Sequence, residues 1–282
     1  MRVTTLIENR PSTSDSQLAY EWGLSLHIAF KEHGILFDMG STGAFTKNAD
    51  HLSIDVASVD AAILSHHHFD HGGGLRQFFE INPDAKVHLG QVPSGECFGK
   101  IFTFIKKYIG IDKTLFTDYP DRFLTVTEPT QIFPDVFLFP KVLSNHPKPA
   151  GNKHIFLKKD GDFVLDDFAH EITLAIKEDD ELVIFTGCSH NGILNMVDTV
   201  SQQFKGVSIK AVVGGFHLVS APPFKFMAGS KREVEDLGRS LLNYPIDEAY
   251  TGHCTGEKAF RVLKGIMGDH LIDVHTGSSF DI

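Results

Sequence analysis

Cysteine is scarce in this chain: Cys97, Cys188 and Cys254 are the only three in 282 residues. So sparse and odd a set argues against a disulfide framework and makes a reducing, cytoplasmic setting the expectation. Long apolar runs are missing as well. None approaches the roughly 20 residues that span a bilayer, so no membrane partner is expected. The opening stretch Met1-Arg2-Val3-Thr4-Thr5-Leu6-Ile7-Glu8 lacks the basic-then-apolar layout of a secretion signal and reads as a strand. Positive charge is in deficit, with 26 Lys and Arg against 36 Asp and Glu and a formal net charge of −10. General nucleic-acid binding is therefore not expected, because phosphate backbones call for clustered Lys and Arg. A small anionic substrate held by a local basic pocket stays compatible with that balance. Heptads, short repeats and low-complexity tracts are absent too. With no composition break, residues 1–282 are expected to form a single domain.

What is present in excess is histidine, 16 residues, and phenylalanine, 24 residues. Alternation over Trp22–Phe30, a turn at Lys31-Glu32-His33-Gly34 and the run Gly34–Gly40 predict a hairpin of strands. Ser58–Leu64 reads as a further apolar strand, and Gly72-Gly73-Gly74 separates it from a helix starting near Leu75. The C-terminal part alternates strand and helix. Strands are expected at Glu181–Thr186, Ser208–Val213 and Ile246–Tyr250. Helices are expected from about Gly192, from a capping box at Ser230-Lys231-Arg232-Glu233, and over Glu257–Met267. Residues 95–150 fit neither period well. They mix Phe98, Phe102, Phe104, Lys106, Lys107 and Tyr108 with prolines, and read as a substrate-covering excursion over the surface.

The strongest chemical signal is Ser65-His66-His67-His68-Phe69-Asp70-His71. Neutral imidazoles and carboxylates are good ligands for zinc and neighbouring divalent metals. In an extended stretch, ligands at i and i+2 point the same way, so His66 and His68 can share one ion while His67 faces elsewhere. Asp70 and His71 follow as the chain turns and can hold a second ion. Three other strand ends run into glycine and then histidine: Thr186-Gly187-Cys188-Ser189-His190, Gly214-Gly215-Phe216-His217 and Thr251-Gly252-His253-Cys254. Rigid sheets aim such loops, and glycine permits close approach. Four histidine-bearing strand ends suggest one shared site. His253 and His190 are the expected additional ligands. Cys188 is either a ligand or a buried thiol, and His217 is more suited to touching substrate than metal. Cys254 reads as core. His170-Glu171 could supply one ligand or simply start a strand. The scattered His33, His51, His88, His154, His270 and His275 read as ordinary residues.

His66-x-His68-x-Asp70-His71 after an apolar strand resembles the signature of the metallo-β-lactamase superfamily. Leu36-Phe37-Asp38-Met39-Gly40 resembles its strand-Asp-x-Gly element, and Thr186-Gly187-Cys188 its Thr-Gly-Asp turn, with Cys in place of the Asp that commonly bridges two metals. Gly187-Cys188-Ser189-His190, Gly214-Gly215-Phe216-His217-Leu218 and His253-Cys254-Thr255-Gly256 are similar to a narrower branch, described as dihydropteroate-synthase-like. The resemblance implies an α/β fold, a four-layer αββα sandwich with the metal site at one edge of two sheets. It also implies a metal-dependent hydrolase with two divalent ions, zinc foremost and manganese or iron as alternatives.

The expected reaction is hydrolysis of a phosphoester-type, pterin-related small molecule by a metal-bound hydroxide, with Asp70 orienting the water and His217 donating to substrate or leaving group. Three alternatives stand beside it: transfer from a pterin phosphoester to an amine, an iron redox site, and a non-catalytic metal-dependent sensor. Neither composition nor motif speaks to the oligomeric state.

Overall fold

Period-two burial sets the architecture. On neighbouring strands Leu26, Ile28, Phe30, Ile35 and Phe37 point into one apolar cluster, while Leu36 points the opposite way into another. Val183 and Phe185 join the first cluster from the other side, and Leu182 and Ile184 turn away into a third. Sheets apolar on both faces must be covered on both. They accordingly face each other across the shared cluster and carry helices outside, giving four αββα layers in the computed structural model, which describes all residues except 102–104 and 221–225.

The first sheet runs Ser279–Asp281, Arg2–Ile7, Ser25–Phe30, His33–Phe37, Ala61–Leu64, Lys86–Leu89 and Phe123–Thr125 in spatial order. Its first three pairings are antiparallel and its last three parallel. The second sheet runs Thr130–Phe133, Val136–Phe139, Thr173–Glu178, Glu181–Phe185, Ser208–Val213, Ile246–Thr251 and Leu271–Asp273, and repeats the pattern. Parallel neighbours end at the same edge, so the loops after Phe37, Leu64, Phe185, Val213 and Thr251 gather there. A backbone bond from Ile172 N to Ser65 O, 2.8 Å, ties the two sheets together at that edge.

Helices Ala44–His51 and Leu75–Ile81 cover the first sheet through Phe45, Ala49, Leu75, Phe78 and Phe79. Helices Ile193–Gln203, Lys231–Leu241 and Glu257–Met267 cover the second through Val197, Val200, Val234, Leu241 and Leu263. The expected capping box forms, with Ser230 Oγ accepting from the Glu233 N–H and Glu233 accepting from the Ser230 N–H.

The stretch 95–150, expected as one excursion, is divided. Residues 123–125 pair with the first sheet and 130–139 with the second, because their apolar side chains, Val136 and Leu138 among them, complete the inner core. What leaves the sandwich is a small antiparallel sheet of Asp162–Leu165, Ile155–Lys159, Glu96–Ile101 and Ile105–Tyr108. Half of it lies beyond the expected boundary. Phe102 and Phe104 lie outside the described residues. The Phe69 N–H bonds to Ile109 O at 2.8 Å, which docks this sheet directly on the histidine loop. Among the described residues no helix is long and apolar enough to cross a membrane.

Candidate metal centre

After Leu64 the chain bends through His66 and His67, passes His68 in an extended conformation at φ −95° and ψ 149°, and then closes into one helical turn, Phe69–Gly72. This path puts His66 and His68 side by side, ring centroids 4.5 Å apart. His67 turns away towards Phe116 and His170. Asp38, at φ +60°, lies beneath the loop. Its carboxylate accepts from Ser65 N and Ser65 Oγ, both at 2.7 Å, and from His71 Nδ1 at 2.6 Å. With its proton committed to Asp38, Ser65 Oγ accepts from His66 Nδ1 at 2.9 Å.

The same logic sets the other rings. His190 Nδ1 donates to Asn152 Oδ1 at 3.0 Å, and Asn152 Nδ2 donates back to His190 O at 2.7 Å, which fixes the amide orientation. His253 Nδ1 donates to Asn9 Oδ1 at 3.0 Å, the oxygen that also takes the Gly23 N–H at 2.9 Å. With Nδ1 carrying the proton, neutral His66, His190 and His253 present Nε2 as a bare lone pair, the form that ligates metal, and His71 does so once its Nε2 is unprotonated.

Those lone pairs fall into two groups. His66, His68 and His190 place candidate ligand atoms within 4.8 Å of one another, and their buried Nε2 atoms have no hydrogen-bond partner. Beside them, His71 Nε2 lies 3.1 Å from His253 Nε2, 3.2 Å from Cys188 Sγ and 3.9 Å from Asp70 Oδ2. His253 Nε2 is 3.6 Å from the same Asp70 oxygen. His71 Nε2 and His253 Nε2 at 3.1 Å share either a proton or a metal cation, because two bare lone pairs at that distance would repel. Three orphaned buried nitrogens are likewise costly unless something binds them. The donor set of buried imidazoles, carboxylate and thiol fits a divalent metal.

Burial holds His66, His68, His190 and His253 well below the usual imidazole range, and the neighbouring histidines push further, so these rings are neutral. Burial also opposes charge on His71, but Asp38 and Asp70 outweigh it and raise its pKa. Burial, with Cys254 close by, pushes the Cys188 thiol well above its ordinary range, so a bound cation is what would favour its thiolate.

Close approach at Gly187 brings the second sheet's loop into this group. A Cβ there would meet Ser65 Oγ at 2.1 Å and His66 Nδ1 at 3.2 Å. His217, at φ +48°, has its ring centroid 4.1 Å from that of His190, with neither nitrogen hydrogen-bonded. Cys254 is buried and accepts from the His217 N–H at 3.3 Å. His170 and Glu171 are engaged by other protein groups, although His170 also lies with His68, Cys97 and Asp166 in a further buried cluster of candidate ligands. His170 Nδ1 accepts from His67 N, leaving Nε2 to donate to Asp166. Glu171 accepts the N–H groups of His190 and Asn191, each at 2.7 Å. Above both groups opens a pocket of about 310 Å³, walled by Trp22, Phe69, Ile109, Ile155 and Val219, with His217 at its side. Phe98 and Tyr108 do not reach it. They pack on each other, with ring centroids 5.8 Å apart, and Phe98 also packs on Phe163.

Comparison with known proteins places this geometry. The family model described as the metallo-β-lactamase superfamily matches residues 25–161. A 7,8-dihydropterin-6-methyl-4-(β-D-ribofuranosyl)-aminobenzene-5′-phosphate synthase of Methanocaldococcus jannaschii is 30% identical over 272 residues, 90% of this chain and 88% of that protein. The chain belongs to the metallo-β-lactamase superfamily. An uncharacterised protein of the same organism is 27% identical over 99% of this chain and 100% of its own length. Among solved structures, Tm1679, described as a metal-dependent hydrolase of the β-lactamase superfamily, superposes with a TM-score of 0.81 at 27% identity, covering 100% of this chain and 99% of that one. The four-layer fold is that of the superfamily, whose members typically bind divalent metals.

Within this superfamily site, the motif reading did not single out the groups that hold the ligands. Asn9, Asn152 and Glu171 each orient a single loop, Asp38 supports two histidines, and Trp22 Nε1 donates to Asp70 Oδ2 at 2.9 Å. Asp38 carried a signal, the strand-Asp-x-Gly pattern, and Glu171 reads in the sequence as a possible ligand rather than as a support. His154, read as ordinary, lines the pocket.

Proposed function

We propose that this superfamily member is a metal-dependent enzyme that hydrolyses a phosphoester-type small molecule, with His66, His68 and His190 holding one divalent ion and Asp70, His71, His253 and Cys188 a second. The observation that carries the reading is the convergence of unpartnered, buried imidazole nitrogens at the floor of an open pocket. Divalent ions in such a setting supply Lewis acidity and lower the pKa of water from about 15.7 towards roughly 7.

The chain's own groups supply the rest. Asp70 has one oxygen fixed by the Trp22 indole, which leaves its other oxygen to orient water at the pocket floor. His217 is pulled down to about 4 by burial, so it enters the reaction neutral. A neutral ring accepts a proton on one nitrogen while it donates a hydrogen bond from the other, which suits contact with a leaving-group oxygen. Trp22, Phe69, Ile109, Ile155 and Val219 keep bulk water from the reacting group and offer flat apolar surface to a ring, in keeping with a pterin-related substrate.

Similarity to the pterin-phosphoester synthase favours a second reading, in which an amine takes the place of water and a carbon–nitrogen bond forms. The deciding experiment measures metal per chain on protein purified without added metal, in wild type and in His68→Ala/Asp70→Ala. Close to two ions of zinc, manganese or iron, lost together with phosphoesterase activity in a variant that stays folded, is the expected result. Activity unchanged in the variant would sink the proposal. Incorporation of an added amine into product would move it to transfer.

A further inference from the structure

The pocket has two unlike ends. Its floor carries the metal groups and Asp70, and its opposite wall comes from the small sheet and the turn before it, through Gly99, Lys107, Ile109, Gly151, His154 and Ile155. Among the described residues, and apart from the histidines of the floor and His217, Lys107 and His154 are the only basic side chains in the lining, and no acidic residue faces them from that wall. Lys107 is exposed at its outer end, and among the described residues neither it nor Lys100 is engaged in an ion pair. Burial, with Lys153 and Lys100 close by, lowers the pKa of His154, so its ring serves as a neutral hydrogen-bonding group beside the Lys107 charge. In a chain of net charge −10, a lysine without an ion-pair partner at a pocket wall leaves local positive potential available to an anionic ligand.

We propose that Lys107 and His154 form an anion subsite that seats a phosphate or carboxylate of the substrate, held apart from the reacting phosphoester by a flat ring lying along Trp22 and Phe69. The inference rests on the phosphoester reading of the floor and narrows the substrate class. The substrate carries two anionic ends on a ring-bearing core, one end reacting over the metals and the other gripped at the small sheet. Lys107 and His154 are thus specificity-determining groups that touch substrate away from the reacting atoms.

A pair of non-hydrolysable probes separates the two ends: phenylphosphonate, which has one anionic group, and its para-phosphonomethyl derivative, which has two. Trp22 is the sole tryptophan of the chain and lines the pocket, so quenching of intrinsic fluorescence reports occupancy on the metal-loaded protein. Wild type should bind the two-headed probe about tenfold more tightly than phenylphosphonate, the margin of one charge-assisted contact, and rising salt should shrink that advantage. In Lys107→Ala, and separately in His154→Ala, the advantage should fall to within about twofold while phenylphosphonate binds as in wild type. Lys107→Arg should restore most of it. Lys158→Ala, an exposed lysine of the same sheet that does not line the pocket, should leave it intact. An advantage that persists in Lys107→Ala and His154→Ala, or is absent in wild type, overturns the subsite and leaves the floor's reading standing. No quench by either probe overturns both.

Discussion

The two halves of the sandwich share one wiring pattern, three antiparallel pairings followed by three parallel ones, yet they furnish the site in opposite ways. The first half delivers His66, His68, Asp70 and His71 from a single loop. It holds two of those rings on one buried carboxylate, since Asp38 grips His71 directly and His66 through Ser65. The second half delivers Cys188 with His190, His217 and His253 from three loops, and each ligand-bearing loop has its own support: Glu171 and Asn152 for the first, Asn9 for the last. Clustering ligands makes one support serve several. Scattering them makes each support local. The halves should therefore differ in how far the loss of a support spreads.

The largest test joins the halves rather than separating them. Candidate ligands from both sheets meet in both groups, so ions bound as proposed would pin the first half to the second across the open edge. Stripping the ions with a chelator should lower the melting temperature by roughly 10 °C, since a ligand held at about a thousand times its Kd adds on the order of 4 kcal/mol to a fold it alone recognises. Scanning calorimetry before and after metal removal, with re-addition as the control, measures this. An unchanged melt would mean that the loops are pre-organised by protein contacts alone.

The next test sets the halves against each other. Asp38→Asn keeps a residue that tolerates positive φ but removes the charge that orients His66 and His71, so both groups should weaken, by about 10–100-fold in metal affinity. Asn9→Ala frees only His253, and Asn152→Ala only His190. Each should weaken one group, by about tenfold, and leave the other at its wild-type affinity. Competition titrations with a chromophoric chelator resolve the two steps. If Asn9→Ala disturbs both groups as deeply as Asp38→Asn, the contrast between shared and local support fails.

The same contrast explains what could be read before the fold was in view. Residues that cluster in sequence announce themselves: His66 to His71 after its strand read as a metal motif, and the structure brings these side chains together with His190, Cys188 and His253. Strand ends followed by glycine and histidine pointed to the second half's contributions. Helix Glu257–Met267 matches its expected bounds because its signals are local. Supports are another matter. Asn9 meets His253 across 244 positions, and a lone asparagine has no pattern that distinguishes a ligand's anchor from a turn residue. The fate of residues 123–139 was equally hidden. Short strands such as Phe123–Thr125 and Val136–Phe139 take their place in the sheets through tertiary burial rather than local period. Phe98 and Tyr108 suggested a ring-binding lid, yet they satisfy each other, and the pocket takes its flat surface from Trp22 and Phe69.

The smallest test asks whether the second half's scattered loops draw on its helices. Ser230 Oγ accepts from Glu233 N at 3.2 Å, and Glu233 Oε2 accepts from Ser230 N at 2.5 Å, so two backbone donors at the start of helix Lys231–Leu241 depend on this pair. In the first half, helices Ala44–His51 and Leu75–Ile81 begin on Gly43 and Gly74 with no side-chain cap. Ser230→Ala should cost about 1 kcal/mol, a fall of roughly 2–4 °C in melting temperature. Its capping pair is exposed, and Ser230 is absent from the pocket lining, so both metal affinities should hold. A melt shifted with the titration unmoved would show that the scattered ligands rely on their own anchors and not on helix integrity. A titration that moves with the melt would mean that the bond from Ala228 N to Leu218 O, 2.7 Å, carries helix strain back to the His217 loop, and that local support in this half reaches further than Asn9 and Asn152.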